Sequence, residues 1–156
     1  MRDVEVEAAF GAFVADVEPR LRRTLISAYG PVVGREATAD ALAWAWEHFG
    51  RVRAMDNPGG YLYRVGQSSA RRSRRAGPPL ADASAVAVDP TPEPGLDDAL
   101  AQLSLRQRTA VLLVHGFGYT LEDAADAMGC RVSTLRNHLD RGLSRLRARM
   151  GVTDDA

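Results

Sequence analysis

The sequence contains no lysine: all twenty basic side chains are arginine. Its single cysteine, Cys130, excludes an internal disulfide and a cysteine-based metal cluster. A small buried hydrophobe is the expected role for it. No N-terminal apolar run resembles a signal peptide, and no stretch reaches the ~18 apolar residues of a membrane span. The compartment therefore reads as cytoplasmic. No glycine-rich phosphate loop, metal-ligand spacing or nucleophile–base set stands out. An enzyme is the least favoured class, and neither a cofactor nor a metal is expected.

Net charge is zero, which argues against a uniformly basic coat, but the charges are segregated. Residues 51–75 hold seven arginines against Asp56 alone, and residues 131–149 hold six against Asp140 alone. Acidic residues gather near the N-terminus and in residues 82–98. Two basic patches separated by an acidic segment suit two contacts to DNA.

Five of the eight prolines fall in residues 76–95, a stretch with no basic residue and little helical periodicity. It reads as a flexible linker. Twenty residues span ~25 Å as a random coil and ~65 Å extended, enough to set two domains on separate turns of a duplex. The expected class is all-α: two small helical domains, residues 1–75 and 96–151, joined by this Pro-rich linker.

The C-terminal domain is organised around residues 119–149. Thr120 with Asp123 three residues on resembles a capping box, and Leu121, Ala124, Ala125 and Met128 form one apolar face. Gly129 suits a left-handed C-terminal position. Ser133 is expected to cap the next helix, with Leu135, Leu139, Leu143 and Leu146 buried. Arg136, Asn137, Asp140, Arg141 and Ser144 then lie on the other side, with Arg145, Arg147 and Arg149 following. This is a helix-turn-helix pattern, whose second helix enters the major groove. Arginine bridges two acceptors on guanine and asparagine pairs with adenine. The bland alternative is a helical hairpin with a solvated basic face. Upstream, Leu96–Leu103 is a short helix, and Ser104 with Gln107 caps Leu105–His115, with Val111, Leu112 and Val114 buried.

In the N-terminal half, Phe10, Phe13, Val14, Val17, Leu21 and Leu25 mark a helix over residues 4–29 that Pro19 should kink or restart. A second helix runs from Gly34 to Phe49, with Ala41, Leu42, Ala45, Trp46 and Phe49 on its apolar face. Trp44 lies off that stripe, as a partner anchor or packed on the first helix. Asp40 is expected to be solvated or to meet a basic partner. Arg51–Asp56 reads as a basic loop. Asn57 caps a third helix with Pro58 at its first position. Tyr61, Leu62 and Val65 are expected to face inward. Arg64, Ser68, Arg71 and Arg75 share the opposite face, beside Arg72 and Arg74. Aromatics near an arginine cluster suit a melted strand, where bases stack on rings. The alternative places Tyr61 and Tyr63 in the core.

Both halves resemble one family. DALAWAWEHF and RVRAMDNPGGYLYRVGQSSARRSRR resemble the second conserved region of bacterial sigma factors, most closely the two-domain extracytoplasmic-function (ECF) type of the sigma-70 superfamily. LDDALAQLSLRQRTAVLLVHGFGYTLEDAADAMGCRVSTLRNHLDRGLSRLRARM resembles their fourth region. The resemblance implies a transcription initiation factor that binds core RNA polymerase and directs it to promoter DNA. Asp40, Trp44 and Glu47 would contact the polymerase. Asn57, Tyr61, Arg64, Ser68, Arg71, Arg72 and Arg75 would serve the minus-ten element. Ser133, Thr134, Arg136, Asn137, His138, Arg141 and Arg145 would serve the minus-thirty-five element. An anti-sigma partner often accompanies this group, and the resemblance leaves that open here. Ala43 stands where the family usually has glutamine, Ser68 where it often has asparagine, and Arg72 where it often has aspartate. His138 replaces the usual arginine and also resembles the helix-turn-helix of response regulators. That gives a rival reading as a dimeric transcription factor. A third reading is a degenerate sigma-like protein acting through protein–protein contacts.

Overall fold

α1 (Arg2–Tyr29) carries Val17, Leu21 and Leu25 at helical spacing, and all three are buried. The computed structural model describes residues 2–76 and 95–151, and the side chains of residues 74–76 fall outside that description. The helix does not restart at Pro19: α1 runs through it. A proline removes one backbone donor from the helical ladder. Val17 and Leu21 on either side of it are buried, and Thr24 Oγ1 donates to the Arg20 carbonyl at 2.8 Å.

Gly30, at φ 87°, turns the chain, and α2 (Pro31–Glu47) starts three residues before the expected Gly34. Its Pro31 lies at the helix start, where a missing amide hydrogen breaks no bond. Val33, Ala37, Ala41 and Ala45 are its buried face. Alanine at every fourth position lets α1 and α4 approach closely. Leu42 is half-buried and Trp46 is 46% exposed, so the apolar face is narrower than the sequence suggests. α3 (Phe49–Val52) is a single helical turn in which Arg51 lies, so the expected loop begins later, at Arg53. α4 (Pro58–Ala76) completes this unit with Leu62, Tyr63 and Ala70 buried.

The chain divides between Val86 and Ala87 into two units. Residues 77–94, nearly all of the expected linker, lie outside the described residues. In the second unit, α5 (Leu96–Ala101), α6 (Leu105–Val111) and α7 (Leu121–Met128) pack against α8 (Val132–Met150) or its neighbours. The Ser104–Gln107 capping box is present in both directions. After Val111 the chain widens into one π turn, Leu112–Gly116. That insertion changes the register. Leu113 is fully buried, whereas the expected Leu112 and Val114 are half-buried. Burial also pulls the Arg108 guanidinium below its ordinary pKa, with Nη2 donating to the Leu103 carbonyl at 3.3 Å.

Among the described residues there is no strand, and no helix is long and apolar enough to cross a membrane.

Candidate nucleic-acid interfaces

The α7–turn–α8 unit is built by three local devices. Thr120 Oγ1 accepts the Asp123 amide at 3.1 Å and starts α7. Gly129 ends it in the left-handed region, at φ 65°. The Cys130 amide then donates to the Ala125 carbonyl at 3.0 Å and closes the turn. Cys130 itself is half-buried rather than buried.

α8 begins at Val132, with Arg131 at the N-cap and no side-chain cap. Ser133 therefore sits within the first turn and does not cap the helix, a correction to the expectation above. The first amides of a helix have no partner inside it, so this end is left open to an anion. Ser133 and Thr134 are exposed beside it.

Leu135, Leu139, Gly142 and Leu146 anchor α8 in the unit. Leu143, expected among them, is half-buried. Gly142 was not singled out by its sequence pattern. A Cβ there would lie 2.9 Å from Val111 Cγ2 and 3.3 Å from the Gln107 carbonyl, so α6 and α8 cross at this glycine. The opposite side presents Arg136, Asn137 and Arg141, all exposed. Among the described residues these three side chains form no hydrogen bond or ion pair within the chain. His138 is half-buried on the flank.

Arg145 departs from that group. Its Nη1 donates to Gln107 Oε1 at 3.3 Å, the atom that also accepts the Ser104 amide at 3.3 Å. It stands three residues from the buried Gly142 and is turned towards α6. Arg149 likewise donates to Gln102 Oε1 at 3.3 Å.

The second basic surface is α4. Asn57 Oδ1 accepts the Gly60 amide at 3.1 Å, so Asn57 caps the helix as expected. Arg64, Ser68, Arg71 and Arg72 are exposed on it, while Arg75 lies in α4 with its side chain outside the described residues. The two tyrosines separate: Tyr63 is 1% exposed and Tyr61 is 38% exposed. Tyr61 thus departs from the inward position expected for it.

Asp40, Trp44 and Glu47 follow a four-then-three spacing on α2 and share a face. Asp40 and Glu47 are exposed and Trp44 is half-buried. Asp40 is not merely solvated, because it accepts a hydrogen bond from Ser69 Oγ of α4. With Glu36, Ser69 and Arg72 it lines a cleft of about 350 Å³ between the two helices. Trp44 stacks on His48 at 4.3 Å and meets Tyr61 at 5.3 Å, with the Arg51 guanidinium 6.0 Å from its ring. Its ring contacts are to the end of α2, to α3 and to α4. Two residues expected at a polymerase contact therefore adjoin two residues of the basic helix: Asp40 with Ser69, and Trp44 with Tyr61.

Comparison with known proteins agrees with this architecture. Residues 95–146 match the family "Sigma-70, region 4". A stretch of 54 residues is 41% identical to the ECF RNA polymerase sigma factor EcfG of Rhodopseudomonas palustris. That match covers 35% of this chain and 30% of the relative's length. The fold is shared with the sigma factor RpoE of Bartonella quintana, solved in complex with the anti-sigma factor NepR. The TM-score is 0.55 at 22% identity, over 92% of this chain and 98% of that one.

Proposed function

We infer, from the match of residues 95–146 to sigma-70 region 4 and the fold shared with a solved sigma factor over 92% of the chain, that this protein is a sigma factor of the ECF type. It binds core RNA polymerase and directs it to promoters. The observation that carries the reading is the exposed Arg136–Asn137–Arg141 face on the second helix of a helix-turn-helix.

In this reading α8 lies in the major groove of the minus-thirty-five element. Arg141 and Arg136 offer paired donors to guanine, and Asn137 offers a donor and an acceptor to adenine. The uncapped start of α8, with Ser133 and Thr134, holds a phosphate and fixes the register. Arg145 supports α8 through Gln107 and does not read bases.

The minus-ten element falls to α4. Arg64, Arg71 and Arg72 meet phosphates, and Tyr61 offers an exposed ring to an unstacked base. Asn57 positions this surface by capping the helix. The polymerase meets α2 through Asp40 and Glu47. Trp44, wedged between His48 and Tyr61, couples that face to the DNA-facing helix. Because core polymerase is its partner, the protein works in the cytoplasm. The solved relative is bound to an anti-sigma factor, and a partner of that kind belongs to the same reading. No catalytic step by this chain enters it.

The response-regulator alternative does not fit. A phosphoacceptor domain alternates strands and helices, whereas residues 2–76 are helices joined by short turns.

Selection of duplexes from a random pool by the chain bound to core polymerase tests the reading. The expected result is enrichment of two spaced boxes, with the upstream box changed or lost in Arg141→Ala. Enrichment of one palindromic site without polymerase would overturn it.

A further inference from the structure

Ser69 of α4 is 8% exposed, yet its hydroxyl donates to Oδ2 of Asp40, an exposed residue of α2. One turn earlier on both helices the backbones come close together. A Cβ on Gly66 would stand 3.3 Å from the Ala37 carbonyl oxygen and 2.6 Å from Leu25 Cδ1. Val33, Ala37 and Ala70 are buried around this approach. The backbone that carries Ser69 is therefore fixed against α2, and its hydroxyl meets Asp40 from a packed position. An exposed aspartate on a helix is ordinarily free to move between rotamers in water. Here one of its oxygens is tied to a residue 29 positions away on another helix.

The group that ties it is neutral. A hydroxyl donor leaves the carboxylate its charge, and the second oxygen keeps its capacity to accept. Arg72 lines the same cleft as Asp40, with Glu36 and Ser73. Among the described residues Asp40 nevertheless forms no ion pair, and Oδ1 accepts no hydrogen bond from the chain. Oδ1 and the negative charge are thus left for a cation from outside the chain. A bond that served only to pack α4 on α2 would not need an exposed, charged acceptor, for which water competes.

We propose that Ser69 is a positioning residue for polymerase binding: it holds the Asp40 carboxylate in one orientation, with Oδ1 free for a lysine or arginine of the polymerase. The proposal rests on the reading of α2 as the polymerase face. It gives a residue of the DNA-facing helix a part in capturing polymerase, without its touching polymerase or DNA. A side chain held beforehand in its bound orientation spares part of the ordering cost of association. That gain falls mainly on the rate of dissociation.

The test is a double-mutant cycle on the full-length chain, with binding to purified core polymerase measured for the unaltered chain, Ser69→Ala, Asp40→Ala and the double variant. Alanine suits a helix interior, so Ser69→Ala should fold. It is expected to weaken binding by about threefold to tenfold, chiefly through faster dissociation. Asp40→Ala should cost about tenfold or more. In the Asp40→Ala background, Ser69→Ala should cost nothing further, because the carboxylate it positions is gone. Salt-dependent binding of the free chain to an unrelated duplex, read alongside, should be unchanged in Ser69→Ala. Additive losses in the cycle, or a matching loss of duplex binding, would make Ser69 a packing residue of α4 and overturn the proposal. So would a loss in Asp40→Ala with none in Ser69→Ala, which would leave the polymerase face standing. No loss in Asp40→Ala would remove Asp40 from that face and overturn both.

Discussion

Gly34 of α2 lies so close to Ile26 of α1 that a Cβ on it would stand 2.5 Å from the Ile26 Cα and 2.6 Å from its nitrogen. Backbone cannot yield as a side-chain tip can. The α1–α2 crossing therefore depends on glycine at this position, just after the Gly30 turn. Gly34→Ala is expected to destabilise the chain by about 2–3 kcal/mol in urea unfolding, despite the better helix propensity of alanine. Gly11 supplies the control, since a Cβ there meets nothing within 4 Å. Gly11→Ala should be neutral or stabilise by up to about 1 kcal/mol. Equal effects at the two positions would show that the crossing is looser than described.

The caps give a second contrast. Ser104 makes a reciprocal bond with Gln107, whereas Ser133 lies inside α8 and caps nothing. Ser104→Ala should cost about 0.5–2 kcal/mol of stability. Ser133→Ala should change it by less than about 0.5 kcal/mol. Thermal unfolding of the two variants separates the cases, and a large loss for Ser133→Ala would restore it as the cap.

Arg141 and Arg145 lie one helical turn apart and are expected to behave differently. Arg141→Ala should cost about 1–3 kcal/mol on the preferred DNA site and little on unrelated DNA. Arg145→Ala should lower stability through the lost Gln107 bond while leaving sequence preference unchanged. Binding titrations on matched and scrambled duplexes give both numbers. A loss of preference in Arg145→Ala would place that side chain at the bases after all.

On α4, Arg64, Arg71 and Arg72 are taken as phosphate contacts. Each change to alanine should reduce the slope of log affinity against log salt by about 1, with a similar loss on every sequence. A slope identical to that of the unaltered chain would remove the residue from the interface.

Much of this was legible in the sequence where local chemistry decides the outcome. Ser104, Thr120 and Asn57 each accept an amide three residues on, as their hydroxyl or amide side chains foretell. Leu135, Leu139 and Leu146 are buried as their spacing requires. What stayed hidden depends on neighbours distant in sequence. Pro19 lies inside α1 between the buried Val17 and Leu21, a packing context that propensity alone does not reveal. The π turn at Leu112–Gly116 leaves no periodic trace and reassigns which leucine is buried. Trp46, expected on the apolar face, is exposed beside Phe10, and Trp44 is half-buried beside Tyr61, because only the fold places those partners. Arg145 looked like its neighbours until Gln107, 38 residues away, was seen to hold it.

The central claim is that this chain directs core RNA polymerase to promoters. Its most direct test is transcription of fragmented genomic DNA by purified core polymerase, with and without the protein, followed by mapping of new start sites. The account predicts new start sites that share two spaced upstream boxes and that vanish in an Arg136→Ala, Arg141→Ala double variant. Absence of new start sites with the unaltered chain, although it still co-purifies with polymerase, would contradict it and mark a sigma-like regulator that works by protein contact alone.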